Sequence, residues 1–287
     1  MDQITTDPRP VLELRGIEKQ FPGVKALDGV RLALHAGEVT ALVGENGAGK
    51  STIVKIPTGI YQPDGGEILL DGTPVRFPSA ASAAHHGVTA IHQETVLFDE
   101  LSVAENIFIG HAPRTRLGLI DRRAMVEKAA ALLASIGAHI DPRQRLAELG
   151  IASRHLVAIA RALSIEARVV IMDEPTAALS HKEIHELYEL VETLKAQGKA
   201  ILFISHKFDE IFRIADRYTV FRDGQFVGAG KIAQVSEAEL VKLMVGRSLD
   251  QVFPQRYPAI GDEVLSVVGY SHPTEFADIS FKLRRGE

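Results

Sequence analysis

A glycine-rich stretch between Gly44 and Thr52, GENGAGKST, combines three glycines with a lysine and two hydroxyl side chains. Because glycine tolerates positive φ, such a stretch can turn successive backbone N–H groups toward one anion. The spacing fits the pattern G-x-x-x-x-G-K-S/T, in which Lys50 neutralises charge on the β- and γ-phosphates and Ser51 ligates Mg²⁺. It predicts a nucleoside triphosphate site lined by Gly44, Glu45, Asn46, Gly47, Ala48, Gly49, Lys50, Ser51 and Thr52.

Two adjacent carboxylates end a second apolar segment, VVIMDE. Around a metal-bound triphosphate their order assigns them different roles. Asp173 is expected to hold Mg²⁺ through water, and Glu174 to orient and polarise the attacking water. Acidic residues often end strands, so the pair gains its meaning only together with the glycine-rich stretch.

The elements that must position these residues alternate between strand and helix. Short apolar segments separated by turn residues predict strands at Val11–Leu14, Val30–Leu34, Val39–Val43, Val169–Met172 and Ala200–Ser205. Helices are predicted after Gly49, from about His181 to Ala196, and from Lys207. This order predicts an α/β fold with a mainly parallel sheet covered by helices.

Two other regions depart from the alternation. Asp71-Gly72 separates two short apolar runs and predicts a hairpin, because both residues accept positive φ. From about residue 96 to 165 the pattern is helical, with Asp121 as an N-cap and Gly137 as a C-terminal stop. The helix after Lys50 contains Pro57, which is expected in its last turn. The apolar segment Val96–Ile109 is either core of this helical subdomain or a surface for a membrane partner.

The composition excludes several classes of protein. The 287 residues carry 32 basic and 37 acidic side chains and a formal charge of −5, which gives no electrostatic support for nucleic-acid binding. Without cysteine there are no disulfides or thiolate metal sites. No window reaches the roughly 20 consecutive apolar residues of a membrane span, so a membrane role is expected to act through a partner.

The end of the sequence repeats its beginning. VLSVVG from Val264 echoes VLELRG from Val11, and ISFKLRRGE from Ile279 echoes VRLALHAGE from Val30. The alternative is two strand-like segments alike by chance. The predicted organisation is a polar tail over 1–10, a first unit over 11–245 with its helical subdomain at about 96–165, a linker over 246–262, and the start of a truncated second unit over 263–287.

On these residues the chain resembles the ATP-binding-cassette ATPases over nearly its whole length. The resemblance implies a P-loop cassette with a mainly parallel core sheet, an antiparallel β subdomain and a helical subdomain, binding ATP and Mg²⁺. It implies that Phe21 lies against adenine and that Gln93 senses Mg²⁺ and the attacking water. His206, which ends FISH, is implied to contact the γ-phosphate. Taken alone, Phe21 would more often be plain packing, and His206 a surface or cap histidine.

Two loops depart from the family pattern. The signature loop reads Leu149-Gly150-Ile151-Ala152-Ser153, with Gly150 and Ala152 where the family has serine and glycine. The missing hydroxyl removes one phosphate hydrogen bond, worth about 0.5–1.5 kcal/mol. The stretch Ala177–Ser180 lacks the aspartate with which the family usually ends it, which puts communication between two ATP sites in doubt.

Three longer segments, FPGVKAL, TGIYQPDGGEI and ISHKFDEIF, resemble the fused double-cassette ATPases of bacterial importers for ribose, galactose, xylose and rhamnose. AIHQETVLFDELSVAENIFIG and the altered signature loop look closest to rhamnose-type members. The resemblance implies ATP hydrolysis coupled to sugar uptake, with membrane permease subunits and, through them, a periplasmic sugar-binding protein as partners. It implies a second cassette in cis or a homodimer, and a peripheral place on the cytoplasmic face of the inner membrane.

Two other functions stay open. A soluble cassette protein acting on DNA or ribosomes would show a coiled-coil insertion after Gln93 or a basic linker, and the sequence has neither. The second open function is that of a cassette that binds nucleotide with little turnover. In this family, hydrolysis needs a signature loop from an opposing cassette.

Overall fold

The computed structural model describes residues 9–91, 97–176, 179–246 and 260–286. The chain divides into two compact units, Met1–Gly246 and Arg247–Glu287. Gln93 and the pair Ala177-Ala178 lie outside the described residues, so the roles predicted for them have no structural counterpart.

In the first unit the strands are β1 (Leu12–Phe21), β2 (Val24–Leu34), β3 (Val39–Val43), β4 (Gly65–Leu70), β5 (Thr73–Val75), β6 (Val88–Ile91), β7 (Val169–Asp173), β8 (Ala200–Ile204), β9 (Arg217–Arg222) and β10 (Gln225–Lys231). The helices are α1 (Lys50–Lys55), α2 (Ala80–His85), α3 (Val103–Ile107), α4 (Arg122–Ser135), α5 (Ile151–Leu163), α6 (His181–Ala196), α7 (Phe208–Ile214) and α8 (Glu237–Val245). Short 3₁₀ turns occur at Leu146–Glu148 and Ile232–Gln234.

The larger sheet has the order β10-β9-β3-β8-β7-β6, and all its neighbours run parallel except β10, which pairs antiparallel with β9. Its central strands β3 and β8 are buried along their whole length. Continuous apolar runs such as VTALV and AILFI are typical of parallel strands covered on both faces. Because β3, β8 and β7 are adjacent and parallel, the segments that follow them meet at one edge of the sheet.

The smaller sheet, β2-β1-β4-β5, is antiparallel throughout. The predicted hairpin is confirmed in β4 and β5, where Asp71 (φ 50°) and Gly72 (φ 70°) form the turn. Both residues have positive φ, as the tight two-residue turn of a hairpin requires. The first unit therefore has the predicted fold class, a parallel core sheet with an antiparallel β subdomain.

Helices α3, α4 and α5 enclose a separate apolar core. The Asp121 side chain accepts a hydrogen bond from Ala124 N at 3.0 Å at the start of α4, and Gly137 follows its end at φ 72°. Both helix limits were predicted. Val103 and Ile107 are fully buried in this core, so the helical part of Val96–Ile109 is subdomain core. Phe98 is 43% exposed, so the alternative of a partner surface stays open for the residues before α3.

The prediction for Pro57 is wrong, because α1 ends at Lys55 and is capped by Ile56. Pro57 therefore lies in the turn that follows, where the Val54 carbonyl accepts from the Thr58 hydroxyl at 3.0 Å. A proline placed after a helix removes no hydrogen bond from its interior.

In the second unit, β11 (Glu263–Tyr270) and β12 (Ile279–Arg284) form an antiparallel pair. Leu265 pairs with Leu283 and Val267 with Phe281, the same register as the pairs that join β1 to β2, Leu12 with Leu34 and Leu14 with Leu32. Among the described residues, no helix has both the length and the apolar character needed to cross a bilayer.

Candidate nucleotide site

The glycine-rich stretch forms the connection between β3 and α1. Gly49 is the N-cap of α1 with φ 96°, a conformation that residues with a Cβ rarely adopt. A Cβ on Gly49 would lie 2.6 Å from Leu27 Cδ2 and 2.8 Å from the Ala26 oxygen. A Cβ on Gly44 would lie 2.3 Å from the Phe221 oxygen. These two glycines are thus required by packing against neighbouring strands.

Gly47 differs from the other two glycines of the loop. It has φ 84°, and a Cβ added there would meet open space. The loop is therefore packed tightly at both ends and open in the middle. The first turn of α1 contains no acidic side chain, so no carboxylate there offsets the positive character of the helix N-terminus. This combination suits a polyphosphate.

Lys50 closes the loop with its ammonium group. Its Nζ donates to the Gly44 oxygen at 2.6 Å and to the Glu45 oxygen at 3.0 Å. Burial lowers the pKa of Lys50 below its usual range, and the negative charges of Glu174 and Asp173 oppose that shift. Both carboxylates are therefore close enough to Lys50 for their charge to act on its ammonium group.

The carboxylates stand at the end of β7. Asp173 is the last residue of the strand, and Glu174 follows in the left-handed region at φ 48°. Its N–H donates to the Ile204 oxygen at 2.9 Å, which ties this irregular residue to β8. Strained residues of this kind are concentrated at functional sites.

His206 follows β8 and reaches the same place. Its Nδ1 lies 3.4 Å from Glu174 Oε1, and the ring is 67% exposed. The structure thus brings the glycine-rich loop, Asp173, Glu174 and His206 to one edge of the parallel sheet, as the strand order requires. Their chemical roles stay predictions.

The residues at this edge fit a triphosphate with Mg²⁺. The described residues contain no group of three or more His, Cys, Asp or Glu side chains able to hold a metal ion. Mg²⁺ is usually held by one or two protein oxygen ligands together with substrate phosphates. The Ser51 hydroxyl and the Asp173 carboxylate are oxygen ligands of that kind. Ser51, in the first turn of α1, is exposed, and Thr52 beside it is half-buried.

Phe21 ends β1 and packs edge-on against Tyr61, with ring centroids 5.3 Å apart. Lys19 Nζ lies 5.6 Å from the same ring centroid, and Lys55 Nζ lies 5.4 Å from the Tyr61 ring centroid. Phe21 is half-buried. Its contact with adenine stays a prediction, and the sequence did not single out Tyr61 as its neighbour.

The signature loop leads into α5, which begins at Ile151 with Gly150 as its N-cap. A glycine has no side chain to accept from the free N–H groups of the first turn. Arg154 holds the loop instead, donating from Nε to the Leu149 oxygen at 3.0 Å and from Nη1 to Asp99 Oδ1 at 2.8 Å. The loop is therefore anchored, although its N-cap hydroxyl is missing.

The sequence missed a buried polar network beside the carboxylates. Glu210 in α7 is 4% exposed, and its Oε2 accepts from Thr176 Oγ1 at 2.9 Å and from Ser205 Oγ at 2.7 Å. The one available signal in the sequence was Glu210 itself, a carboxylate four residues after His206 and next to Asp209.

Comparison with protein families matches residues 27–177 to the ABC transporter family. Ribose import ATP-binding protein RbsA of Roseobacter denitrificans is 72% identical over 97% of this chain and 54% of its own length. Ribose import ATP-binding protein RbsA 1 of Rhizobium meliloti is 68% identical, over 97% of this chain and 56% of its own length. The chain thus spans about half the length of the curated relatives it matches. Both are named for ribose, so the predicted likeness to rhamnose-type importers is not supported.

Comparison with solved structures also matches the chain to ATP-binding cassettes of ABC transporters. A nucleotide-free ATP-binding cassette from an ABC transporter aligns with a TM-score of 0.73 and 29% identity, covering 83% of this chain and all of the other. The ADP conformation of MJ1267, an ATP-binding cassette of an ABC transporter, aligns with a TM-score of 0.72 and 28% identity, covering 83% of this chain and 99% of the other.

Proposed function

The chain belongs to the ABC transporter family, and on that premise we propose that it binds and hydrolyses ATP to power sugar import in a bacterium, with ribose as the sugar. The observation that carries the proposal is the shared site of Lys50 and Glu174. The Lys50 ammonium lies against the glycine loop, and the charge of Glu174, which follows β7, raises the pKa of Lys50 there. A triphosphate between them would have its charge neutralised on one side and its attacking water oriented on the other.

Each residue has a specific task in this proposal. The N–H groups of Gly47 to Thr52 and the Lys50 ammonium bind the phosphates. Ser51 and Asp173 hold Mg²⁺, which when bound screens phosphate charge and orients the γ-phosphate. Glu174 accepts a proton from the attacking water, and His206, in contact with Glu174, binds the γ-phosphate. Phe21 lies against adenine, and Gln93, outside the described residues, contacts Mg²⁺ and the water.

The partners follow from import. A cassette that drives transport needs permease subunits to carry the sugar path, and an importer of this kind receives its sugar from a periplasmic binding protein. We place the chain at the cytoplasmic face of the inner membrane, bound peripherally through the permease. The choice of ribose as the sugar rests on the names of the relatives alone.

The second unit supports a tandem organisation. Ile279, Phe281 and Leu283 are 44–48% exposed, whereas the matching Val30, Leu32 and Leu34 of β2 are at most 3% exposed. An apolar strand pair of this kind needs other elements to cover it. We propose that β11 and β12 begin a second cassette after a linker over 246–262, with the first cassette over 11–245 and a polar tail over 1–10. The second cassette in cis, or a second copy of the first, would supply the opposing signature loop.

The alternative of nucleotide binding with little turnover is favoured by one feature, the missing hydroxyl at Gly150. A homodimer of this chain would place Gly150 and Ala152 over ATP, so its hydrolysis is expected to be slow. The soluble non-transport ATPase remains the less supported alternative, since the named relatives are import proteins.

The test uses the purified chain and a strain that lacks ribose uptake. Mg²⁺-dependent binding of a fluorescent ATP analogue, lost in Lys50→Ala, is expected. Slow hydrolysis, abolished in Glu174→Gln, is expected as well. The same chain, joined to the second half of its Roseobacter relative, should restore ribose uptake, and the Glu174→Gln form should not. Binding without any hydrolysis in either setting would favour the alternative, and failure to bind ATP would refute the proposal.

A further inference from the structure

Glu210 is a buried carboxylate at the junction of three segments of the first unit. It lies in the first turn of α7 and is 4% exposed. Its two oxygens have different partners. Oε2 accepts from the hydroxyls of Thr176 and Ser205, and Oε1 lies 3.1 Å from Lys207 Nζ. A buried charge persists only when paired and hydrogen-bonded, as it is here.

The two hydroxyls belong to the segments that carry the proposed chemistry. Thr176 lies two residues after Glu174, and Ser205 directly precedes His206. Both hydroxyl residues are buried, at 3% and 5% exposure. One carboxylate oxygen therefore joins the segment after β7 to the segment after β8.

Further hydrogen bonds tighten this junction. The Lys207 N–H donates to Ser205 Oγ at 3.1 Å, and Lys207 Nζ lies 3.4 Å from Thr176 Oγ1. On the other side of the same two segments, Glu174 N–H donates to the Ile204 oxygen and His206 Nδ1 faces Glu174 Oε1. Hydrogen bonds to a charged acceptor are shorter and stronger than neutral ones, which suits a junction that must stay rigid.

We propose that Glu210 is a positioning residue for ATP hydrolysis, because through Thr176 and Ser205 it fixes Glu174 and His206 relative to each other. This inference rests on the proposed function. Glu210 itself does not touch the nucleotide in this proposal. Misplacing reacting groups by about 1 Å can lower the rate by about 100-fold. A rigid junction that holds Glu174 and His206 in place is therefore expected to raise the rate of hydrolysis.

The test compares Glu210→Gln with Asp209→Asn in the full chain. Asp209 lies in the same first turn of α7 but is exposed. Asp209→Asn therefore removes the same charge and the same interaction with the helix dipole as Glu210→Gln, without touching the buried network. Amide hydrogen exchange is measured without nucleotide over 173–176 and 205–208, and kcat and KM for ATP are measured separately. In Glu210→Gln we expect about tenfold faster exchange in both segments. We expect kcat to fall by about 10-fold to 100-fold with KM nearly unchanged, because the glycine loop is untouched. Asp209→Asn should leave both measurements unchanged.

Two further variants separate the arms of the junction and remain informative if Glu210→Gln does not fold. Thr176→Val should speed exchange over 173–176 alone, and Ser205→Ala over 205–208 alone. Unchanged exchange in both segments of every variant would overturn the proposal, and so would faster exchange with unchanged kcat. A wild-type chain that binds no ATP would refute the proposed function instead, while the exchange data would still decide whether Glu210 joins the two segments.

Discussion

His206 Nδ1 lies 3.4 Å from Glu174 Oε1, although the two residues follow different strands, β8 and β7. The two residues can meet only because β7 and β8 are adjacent and parallel. The strand order of the sheet therefore determines the contact, and neither segment would form it alone. Glu174 is held at φ 48° beside it. The contact makes the edge of the sheet a single site with a carboxylate and an imidazole facing each other.

The first prediction concerns Glu174. Glu174→Gln keeps the size and backbone of the residue and removes its ability to accept a proton. We expect the hydrolysis rate to fall by about 100-fold or more, with ATP affinity retained, since a general base contributes about 10²–10⁴-fold. Release of phosphate and binding of a fluorescent ATP analogue measure the two effects.

The control for that variant is Glu166→Gln. Glu166 also has positive φ, 38°, but it precedes β7 and so lies at the opposite end of the strand, where it is exposed. It reproduces a glutamate-to-glutamine change in left-handed backbone without the proposed chemistry. An equal loss of hydrolysis in both variants would assign the effect to backbone strain and not to proton transfer.

The second prediction separates two glycines of the nucleotide loop. Gly49→Ala combines left-handed backbone with a clash against Leu27 and the Ala26 oxygen, so we expect a loss of about 2 kcal/mol or more in the free energy of unfolding. Gly47→Ala meets open space and should cost only the backbone strain, about 1 kcal/mol. Urea unfolding of the nucleotide-free chain measures both. Equal losses would show that packing around Gly49 does not matter.

Sequence reasoning was sufficient where a local pattern or a strand rule determines the structure. The glycine loop, the start of α1 and the Asp71-Gly72 turn depend on residues next to one another, and all were predicted. The meeting of Lys50, Asp173 and Glu174 followed from the strand order of parallel sheets.

The sequence was insufficient where an outcome depends on contacts between distant segments. Asp209 and Glu210 are neighbours of the same charge, and only the packing of α7 decides that Glu210 is buried and meets Thr176 and Ser205. The end of α1 before Pro57 was also missed, because helix limits depend on capping by later residues such as Thr58.

The third prediction restores the N-cap of α5. Gly150 has φ −67° and ψ 167°, and a Cβ there would meet open space, so serine fits without strain. Its hydroxyl can accept from a free N–H of the first turn. We expect Gly150→Ser to raise the free energy of unfolding by about 0.3 kcal/mol, and Gly150→Ala, which adds no acceptor, to lower it. If both variants shift stability in the same direction, capping is not the cause. Faster hydrolysis in Gly150→Ser alone would further link this residue to the opposing ATP.

The last prediction concerns pH. His155 in α5 has a buried Nε2 without a hydrogen-bond partner among the described residues, and burial lowers the pKa of its ring despite the opposing charge of Glu183. The folded chain thus keeps this ring neutral at a pH where the unfolded chain, with a pKa of about 6.5, already binds a proton. The stabilisation is complete above that pKa and is lost as pH falls through the folded value. Below about pH 6.5, the free energy of unfolding of His155→Leu should therefore fall less steeply with falling pH than that of wild type. The difference in slope should be less than about 1.4 kcal/mol per pH unit, which is the limit for a single proton. Urea unfolding between about pH 5 and 8 measures this, with the exposed His185→Gln on α6 as control. If the pH dependence of His155→Leu equals that of wild type, the buried ring is not the source of the acid sensitivity.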